Sequence, residues 1–406
     1  MRILFTTPIL EHPPAGGPQL RIANSIKALS QICELDIIHR SIRPKKDVEA
    51  TAAFYRQYTK EYVTIFKRSP KFSSSWFNRQ YLRVIKRLFD HEVENYVAQI
   101  LEHVERRKIN VVWFGYGNIS YPLIKKVKAA KPELKVVCDT DSVWSRFVMR
   151  ELPYARGLRK LRILYSGLMK KVEERAWVDL CEVTTAVSEV DAEYYQSLTK
   201  NAAKVRVFSN VVDVSSYDIT VPAPGGFKSP SIYLAGTFGH YYSAMDTAAR
   251  WVLEEILPKI LPTYPNLHFY VVGRGSNVSF GHVNSPNVTV TGELESVLPY
   301  LKYSDIALVP LKFESGTRFK ILEAGSCSIP LVSTALGAEG IPVKHGEHIL
   351  IADTAEEFAE SIIHLLNDKK LGGRLATNCH DLVSQMYSVE ALVEEAKDIL
   401  EYLNHG

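Results

Sequence analysis

The sequence predicts an α/β protein of two Rossmann-like parallel-sheet domains facing across a cleft. Three observations predict it. Short apolar runs alternate with amphipathic segments along all 406 residues. The runs are continuous rather than alternating, which suits parallel strands covered by helices on both faces. The whole pattern also occurs twice, with a stretch rich in Pro, Gly and Ser between the two occurrences.

The first series begins with "RILFTTP", followed by the loop "EHPPAGGPQ" and a helical pattern through Leu29. "ELDIIHR", "VVWFGY", "KVVCDT", "VTTAVS" and "KVRVFSN" follow as strands. This places an N-terminal domain at 1–213 and a linker at 214–229. The second series is "SIYLAGTF", "LHFYVVGRG", "NVTVTG", "DIALVPL", "IPLVST" and "HILIAD". It places a second domain at 230–386, with "AMDTAARWVLEEILPKIL" and "AEEFAESIIHLLND" as its clearest helices. Residues 387–406 form a final amphipathic helix, expected to pack back across the domain junction. Ligands of open parallel sheets bind beyond the carboxyl ends of the strands, so two such domains can enclose a two-substrate reaction.

Composition narrows the function. Hydrophobic residues make up 46% of the chain, enough for substantial cores. No run of eighteen apolar residues suggests a membrane-spanning helix. "MRILFTTPIL" reads as a strand rather than a signal peptide. The five Cys form no CxxC pair, and the twelve His show no metal-ligand spacing. Buried free thiols in a cytoplasmic protein are the expectation. A net charge of +4 is no argument for nucleic acid, but it permits attraction to an anionic ligand or membrane face. No G-x-G-x-x-G follows the first strand, which argues against a dinucleotide dehydrogenase.

The most informative stretch is "FESGTRFKILEAGSCSIPLVST", Phe313 to Thr334. A helix from about Thr317 to Cys327 puts Gly316, Lys320, Glu323 and Cys327 on one stripe, leaving Phe319, Leu322 and Ser326 for the core. Unpaired cations are unfavourable beside a positive helix end, and a bound diphosphate reverses that. Gly316 lets such an anion approach the free backbone N–H groups. Glu323, one turn deeper, can accept hydrogen bonds from a diol such as ribose. The plainer reading is a surface ion pair between Lys320 and Glu323, worth about 0.2–0.5 kcal/mol.

"SGTRFKILEAGSCSIPLVSTALGAEGI" closely resembles the donor-site motif of glycosyltransferase family 4, retaining enzymes of GT-B fold. The resemblance extends through "YLAGTFGHYYSAMDTAARWVLEEILPKI", "FYVVGRG", "VTVTGELESVLPYLKYSDIALVPL" and "HGEHILIADTAEEFAESIIHLLND". The first domain is similar through "AGGPQLR", "DTDSVWSR", "AVSEVDAEYY" and "VFSNVVD". The resemblance implies a hexosyltransferase-like retaining enzyme taking a nucleotide-diphosphate sugar, with 1–213 as its acceptor-side domain and 230–386 as its donor-binding domain. No obligate metal or cofactor is expected, because the cations are protein groups and no acidic metal motif stands out. It gives Glu323 the donor ribose, and Arg318 and Lys320 the diphosphate. Ser315, Gly316 and Thr317, with Gly236 and Arg274, become donor contacts. Two departures stand out. The first Glu of the family's paired-Glu motif falls at Ser315, and the usual "A-x-G" reads "GSCSIP".

Gly16 and Gly17 let the first loop approach donor phosphates or sugar, or else form an ordinary strand–helix turn. Arg21, one turn later, reads as a surface charge. Many family members place a His beside the reacting sugar, where this chain has Asp139 and Asp141 in "VVCDTDSVWSR". These acids either cap a helix or orient an acceptor hydroxyl. Asp141 joins Arg318 and Lys320 as the expected catalytic set. His12 and His240 are the remaining His candidates, although a lone His is usually a loop or core residue. Basic and aromatic residues interleave over 66–89. That suits either a peripheral contact with an anionic membrane or a helix with a solvated basic face. The expected partners are a sugar donor and a glycan, lipid-linked or small-molecule acceptor, with no nucleic acid. The expected setting is surface polysaccharide or glycoconjugate synthesis at the inner face of the membrane. A nucleotide-sugar epimerase of the same fold and a catalytically degenerate binding subunit are the rivals.

Overall fold

The computed structural model describes residues 1–14, 16–41, 45–66, 91–239, 243–313 and 319–405. Ser315, Gly316, Thr317, Arg318 and His240 lie outside these residues, as does the 66–89 segment beyond Phe66. The chain divides into two compact units. Met1–Asp141, Leu168–Ser209 and Leu392–Gly406 form the first; Ser142–Gly167 and Asn210–Ala391 form the second.

The first unit holds a seven-stranded sheet: β1 (Arg2–Thr7), β2 (Glu34–Ser41), β3 (Glu61–Phe66), β4 (Val111–Gly115), β5 (Lys135–Asp139), β6 (Val183–Ala186) and β7 (Val205–Val207). The order is β3-β2-β1-β4-β5-β6-β7, and every pairing is parallel. Ile3 pairs with both Leu35 and Val111, which sets the central register. Every residue of β4 is buried, as expected of a strand with both faces covered. The strand missing from the sequence reading is β3. "EYVTIF" lies at the sheet edge with only Ile65 fully buried, so it lacks the apolar run that marks its neighbours.

The second unit holds six parallel strands: β8 (Ser231–Ala235), β9 (His268–Val272), β10 (Val288–Val290), β11 (Ile306–Val309), β12 (Leu331–Ser333) and β13 (Leu350–Ile351). Their order is β10-β9-β8-β11-β12-β13. All six were legible as apolar runs. The segment "AMDTAARWVLEEILPKIL" is helical but not uniform. An α-helix at Ala244–Trp251 passes through a π turn at Val252–Ile256 into Leu257–Ile260. Pro258 cannot donate a backbone hydrogen bond, and a π turn just before it reroutes the ladder. The Ala355–Asn367 helix starts with a reciprocal capping box between Thr354 and Glu357. Among the described residues, no helix is long and apolar enough to cross a membrane. The five Cys are free, with Cys138, Cys181 and Cys379 buried.

In each sheet the chain starts in the middle and then winds outward in both directions. The order switches at β1/β4 in the first unit and at β8/β11 in the second. Crevices beyond the strand ends at such points are where ligands of open α/β sheets bind.

Candidate functional site

In the second unit, the loops after β8 and β9 meet backbone to backbone. Gly236 N donates to Val272 O at 3.0 Å, and Phe238 N to Arg274 O at 2.8 Å. A Cβ on Gly273 would sit 2.2 Å from Gly236 O, at φ +122°. Glycine is therefore required at Gly273 by both space and conformation. A Cβ on Gly236 would meet only the flexible end of Met245, at 2.7 Å. The Arg274 side chain is exposed just beyond β9. Lys312, just beyond β11, was not singled out in the sequence. Its ammonium lies 3.4 Å from the centre of the Trp251 ring, and burial holds its pKa below the ordinary Lys value.

The helix after β11 covers Phe319–Ser326 among the described residues. Ile321, Leu322, Ala324, Gly325 and Ser326 are buried, while Lys320 and Glu323 are half-buried. Glu323 does not stand free on an open stripe. Its Oε1 accepts a 3.1 Å hydrogen bond from the Tyr217 hydroxyl. Tyr217 belongs to the 214–229 segment, which sequence reading treats only as a linker. Lys320 and Glu323 also line a cavity of about 10 Å³ with Tyr233, Ala235, Ala307 and Leu308. That is room for about one water molecule. A larger cavity of about 460 Å³ lies one turn further along, between Tyr217, Lys302, Cys327 and His380.

Burial raises the Glu323 pKa above 4.5; the Lys320 charge and the Tyr217 hydrogen bond offset part of this. The folded chain therefore keeps this proton to a higher pH than the unfolded chain does. Between the two pKa values the folded state binds more protons, so stability falls as pH rises. We expect the nucleotide-free protein to lose melting temperature as pH climbs from 4.5 through the raised value. Glu323→Gln, which cannot ionise, should flatten that slope. Melting curves across the window check this, and identical slopes for the two proteins would remove Glu323 as their source.

In the first unit, Gly16 and Gly17 open the Gly17–Ser30 helix beyond β1. Gly16 is extended at φ 173°, and its nearest Cβ neighbour would be Gln19 Oε1 at 3.5 Å. Neither conformation nor crowding demands glycine there. Arg21, expected on the surface, is instead 2% exposed. It forms an ion pair with Asp139, donates to Phe208 O at 3.0 Å and lies over the Phe208 ring. Asp139 is fully buried and also accepts from Thr185 Oγ1 at 2.8 Å. It caps no helix; the residue before the Trp144–Arg150 helix is Val143.

Asp141 is half-buried. It accepts a hydrogen bond from Asn118 Nδ2, and the Tyr116 hydroxyl also bonds to it. Tyr116 sits just past β4 at φ 63°, uncommon for so large a residue. Burial, then the Asp141 charge, pushes its phenol pKa far up. Tyr116 and Asn118 are thus groups the sequence reading missed. The signal was the polar "YGN" closing an apolar strand at the switch point. His12 stacks on Phe54 with ring centres 3.5 Å apart, and burial followed by the Lys27 charge lowers its pKa.

Among the described residues, one cluster has metal-ligand types: Asp36, Glu61 and His103. Its carboxylates are already occupied. Arg107 donates to both Asp36 oxygens at 3.0 and 3.3 Å, and Arg106 pairs with Glu61. Burial alone would raise the Asp36 pKa, but hydrogen bonds from His103 and Arg107 hold it below the ordinary value. The cluster lies at the N-terminal ends of β2 and β3, away from the switch point. It is a structural ion-pair network.

Residues 231–368 match the family model described as Glycosyl transferases group 1. An uncharacterized 44.6 kDa protein in the cps region of Klebsiella pneumoniae is 24% identical over 148 residues. The match spans 34% of this chain and 38% of that protein. Among solved structures, sucrose-phosphate synthase from Thermosynechococcus elongatus is similar over 100% of both chains, with a TM-score of 0.70 at 14% identity. HepE of Anabaena, in complex with UDP and glucose, is similar over 99% of both chains, with a TM-score of 0.67 at 14% identity. The chain thus has the GT-B fold of two parallel-sheet α/β domains, and its 231–368 segment matches the glycosyl transferases group 1 family.

Proposed function

We propose that this protein is a retaining glycosyltransferase that moves a sugar from a nucleotide-diphosphate sugar to a glycan, lipid-linked or small-molecule acceptor. The observation that carries this is the group 1 match over 231–368, whose residues include Lys320 and Glu323 on the helix after β11, at the sheet's switch point. A half-buried Glu with a raised pKa is the kind of perturbed group found at ligand sites. HepE of Anabaena was solved with UDP-glucose, so uridine donors come first among those to test. Surface polysaccharide or glycoconjugate synthesis is the proposed setting, supported by the cps-region relative.

Glu323 would accept hydrogen bonds from the donor ribose, exchanging the Tyr217 hydroxyl for sugar hydroxyls. Ser315, Gly316, Thr317, Gly236 and Arg274 would complete the donor site, and Gly16 and Gly17 would meet its phosphates or sugar. As the glycosidic bond stretches, charge collects on the departing diphosphate. Arg318 and Lys320 would stabilise that charge. A diphosphate oxygen would take the acceptor proton, so no strong protein base is needed. Asp141, steadied by Asn118 and Tyr116, would orient the acceptor hydroxyl. With cations supplied by the protein, no obligate metal is called for.

A thermal-shift panel of UDP, GDP, ADP and their sugars tests the donor role. A nucleotide at one hundred times its dissociation constant should stabilise the protein by about 2.7 kcal/mol. Glu323→Ala should remove about 1.5–3 kcal/mol of nucleotide binding, the value of a hydrogen bond to a charged group. Unchanged nucleotide affinity in calorimetry would take Glu323 out of the site. Donor altered without any acceptor would indicate an epimerase, and donor bound but never consumed a binding subunit.

A further inference from the structure

The cavity of about 460 Å³ in the second unit lies outside the donor site described above. The Phe319–Ser326 helix runs from the carboxyl end of β11 back toward the amino end of β12. Lys320 and Glu323 belong to its first turns. Ser326, Cys327 and Ser328, at its far end, line the cavity. Another wall is the Val214–Tyr217 turn with Asp218 after it, and Lys302 and His380 complete the lining. The chain after that turn is tied down. Lys302 Nζ donates to Ile219 O at 2.7 Å, and Tyr303 Oη to Val221 O at 3.1 Å. The volume falls within the about 300–1,000 Å³ of small-molecule sites.

The lining selects the occupant. It carries one charge of each sign, Lys302 and Asp218, and among the described residues neither makes an ion pair. An anion would meet Asp218 and the negative end of the helix. A cation would meet Lys302. An apolar molecule would strip water from Ser215, Ser328 and His380 without replacing its hydrogen bonds. Sugar hydroxyls both donate and accept, so they can serve all of these groups. The C–H faces of a sugar can rest on Val214 and the Tyr217 ring. One residue joins this cavity to the donor site: Tyr217 lines it and donates to Glu323 Oε1 at 3.1 Å. Burial, then the Glu323 charge, holds the Tyr217 phenol pKa far above its ordinary value, so the hydroxyl stays a donor.

We propose that this cavity binds a neutral mono- or disaccharide, and that its occupant opposes donor binding by holding Tyr217 on Glu323. The second half rests on the donor reading of Glu323. In that reading the ribose displaces the Tyr217 hydroxyl, so a saccharide that fixes the Val214–Tyr217 turn makes the displacement costlier. Accumulated glycan would thereby restrain sugar transfer.

Cys327 reports on the cavity directly. Its thiol and that of Cys33, in the first unit, are both half-buried, and burial pushes both to a pKa of about 12. Cys33 is therefore a matched control. The full chain is treated with iodoacetamide at mildly alkaline pH, with glucose, galactose, mannose, rhamnose, maltose or lactose, and alkylation is followed peptide by peptide by mass spectrometry. A saccharide at about ten times its dissociation constant should slow Cys327 about tenfold and leave Cys33 unchanged. Ser215→Trp, which fills the cavity from an exposed position, should abolish the protection. The protecting saccharide should weaken calorimetric nucleotide binding by about fivefold or more. Tyr217→Phe should remove that effect while Cys327 stays protected. If no saccharide protects Cys327, or if Ser215→Trp is protected as well as wild type, the cavity is not a saccharide site. Nucleotide affinity that is unchanged or raised would overturn the coupling. Protection in a protein that binds no nucleotide would overturn the donor reading and the coupling with it, and leave the saccharide site standing.

Discussion

Lys320→Ala is expected to lower the turnover of sugar transfer by on the order of a hundredfold, while nucleotide affinity falls much less. The expectation follows from where charge appears. In the ground state the donor's diphosphate already carries charge that solvent and backbone can share. In the transition state additional charge arrives as the glycosidic bond breaks. A cation that meets this added charge spends its interaction on the barrier. Lys320 lies on the first turn of the Phe319–Ser326 helix, one turn before Glu323, and its charge already acts on that carboxylate. Nucleotide binding would give the ammonium a second, stronger anion. Lys320→Arg should restore turnover only in part, because a planar fork does not substitute for a compact point charge. Steady-state transfer rates and direct calorimetric binding, measured on the same variants, separate the roles. Equal losses in both would mean that Lys320 merely holds the nucleotide. No loss in either would make the Lys320–Glu323 pair a surface feature.

The fold was legible because its central strands are buried on both faces and so read as unbroken apolar runs. "VVWFG" and "HFYVV" need no partner to be recognised. The edge strand β3 was not legible, since an edge has one poorly covered side and Glu61 and Thr64 interrupt the apolar residues of "EYVTIF". The candidate site was legible only where its residues are neighbours along one helix, as Lys320 and Glu323 are. Tyr217 reaches Glu323 from 106 positions away, and Asn118 reaches Asp141 from 23. No local periodicity encodes such meetings.

Arg21 is the sharpest case, and it carries the largest expected effect on stability. By itself, an Arg one turn into a helix after a polar loop looks like a solvated charge. In the fold its side chain is 1% exposed and its partner Asp139 is 0% exposed, 118 residues away. The guanidinium joins the first helix to β5 through Asp139 and to the chain after β7 through Phe208 O at 3.0 Å. Removing one member of a buried pair leaves the other charge without compensation. Arg21→Met is therefore expected to destabilise the first unit by about 3–5 kcal/mol. Asp139 would keep only the Thr185 hydroxyl, and among the described residues its Oδ2 already lacks a hydrogen-bond partner. Arg21→Lys should recover a minority of the loss, since it restores charge without the fork. The double variant Arg21→Met, Asp139→Leu should be less damaged than Arg21→Met alone, because no orphan charge remains. Urea unfolding followed by probes in each unit makes the comparison. If Arg21→Met costs less than about 1 kcal/mol, the value of a surface pair, the ion pair does not hold this end of the sheet together.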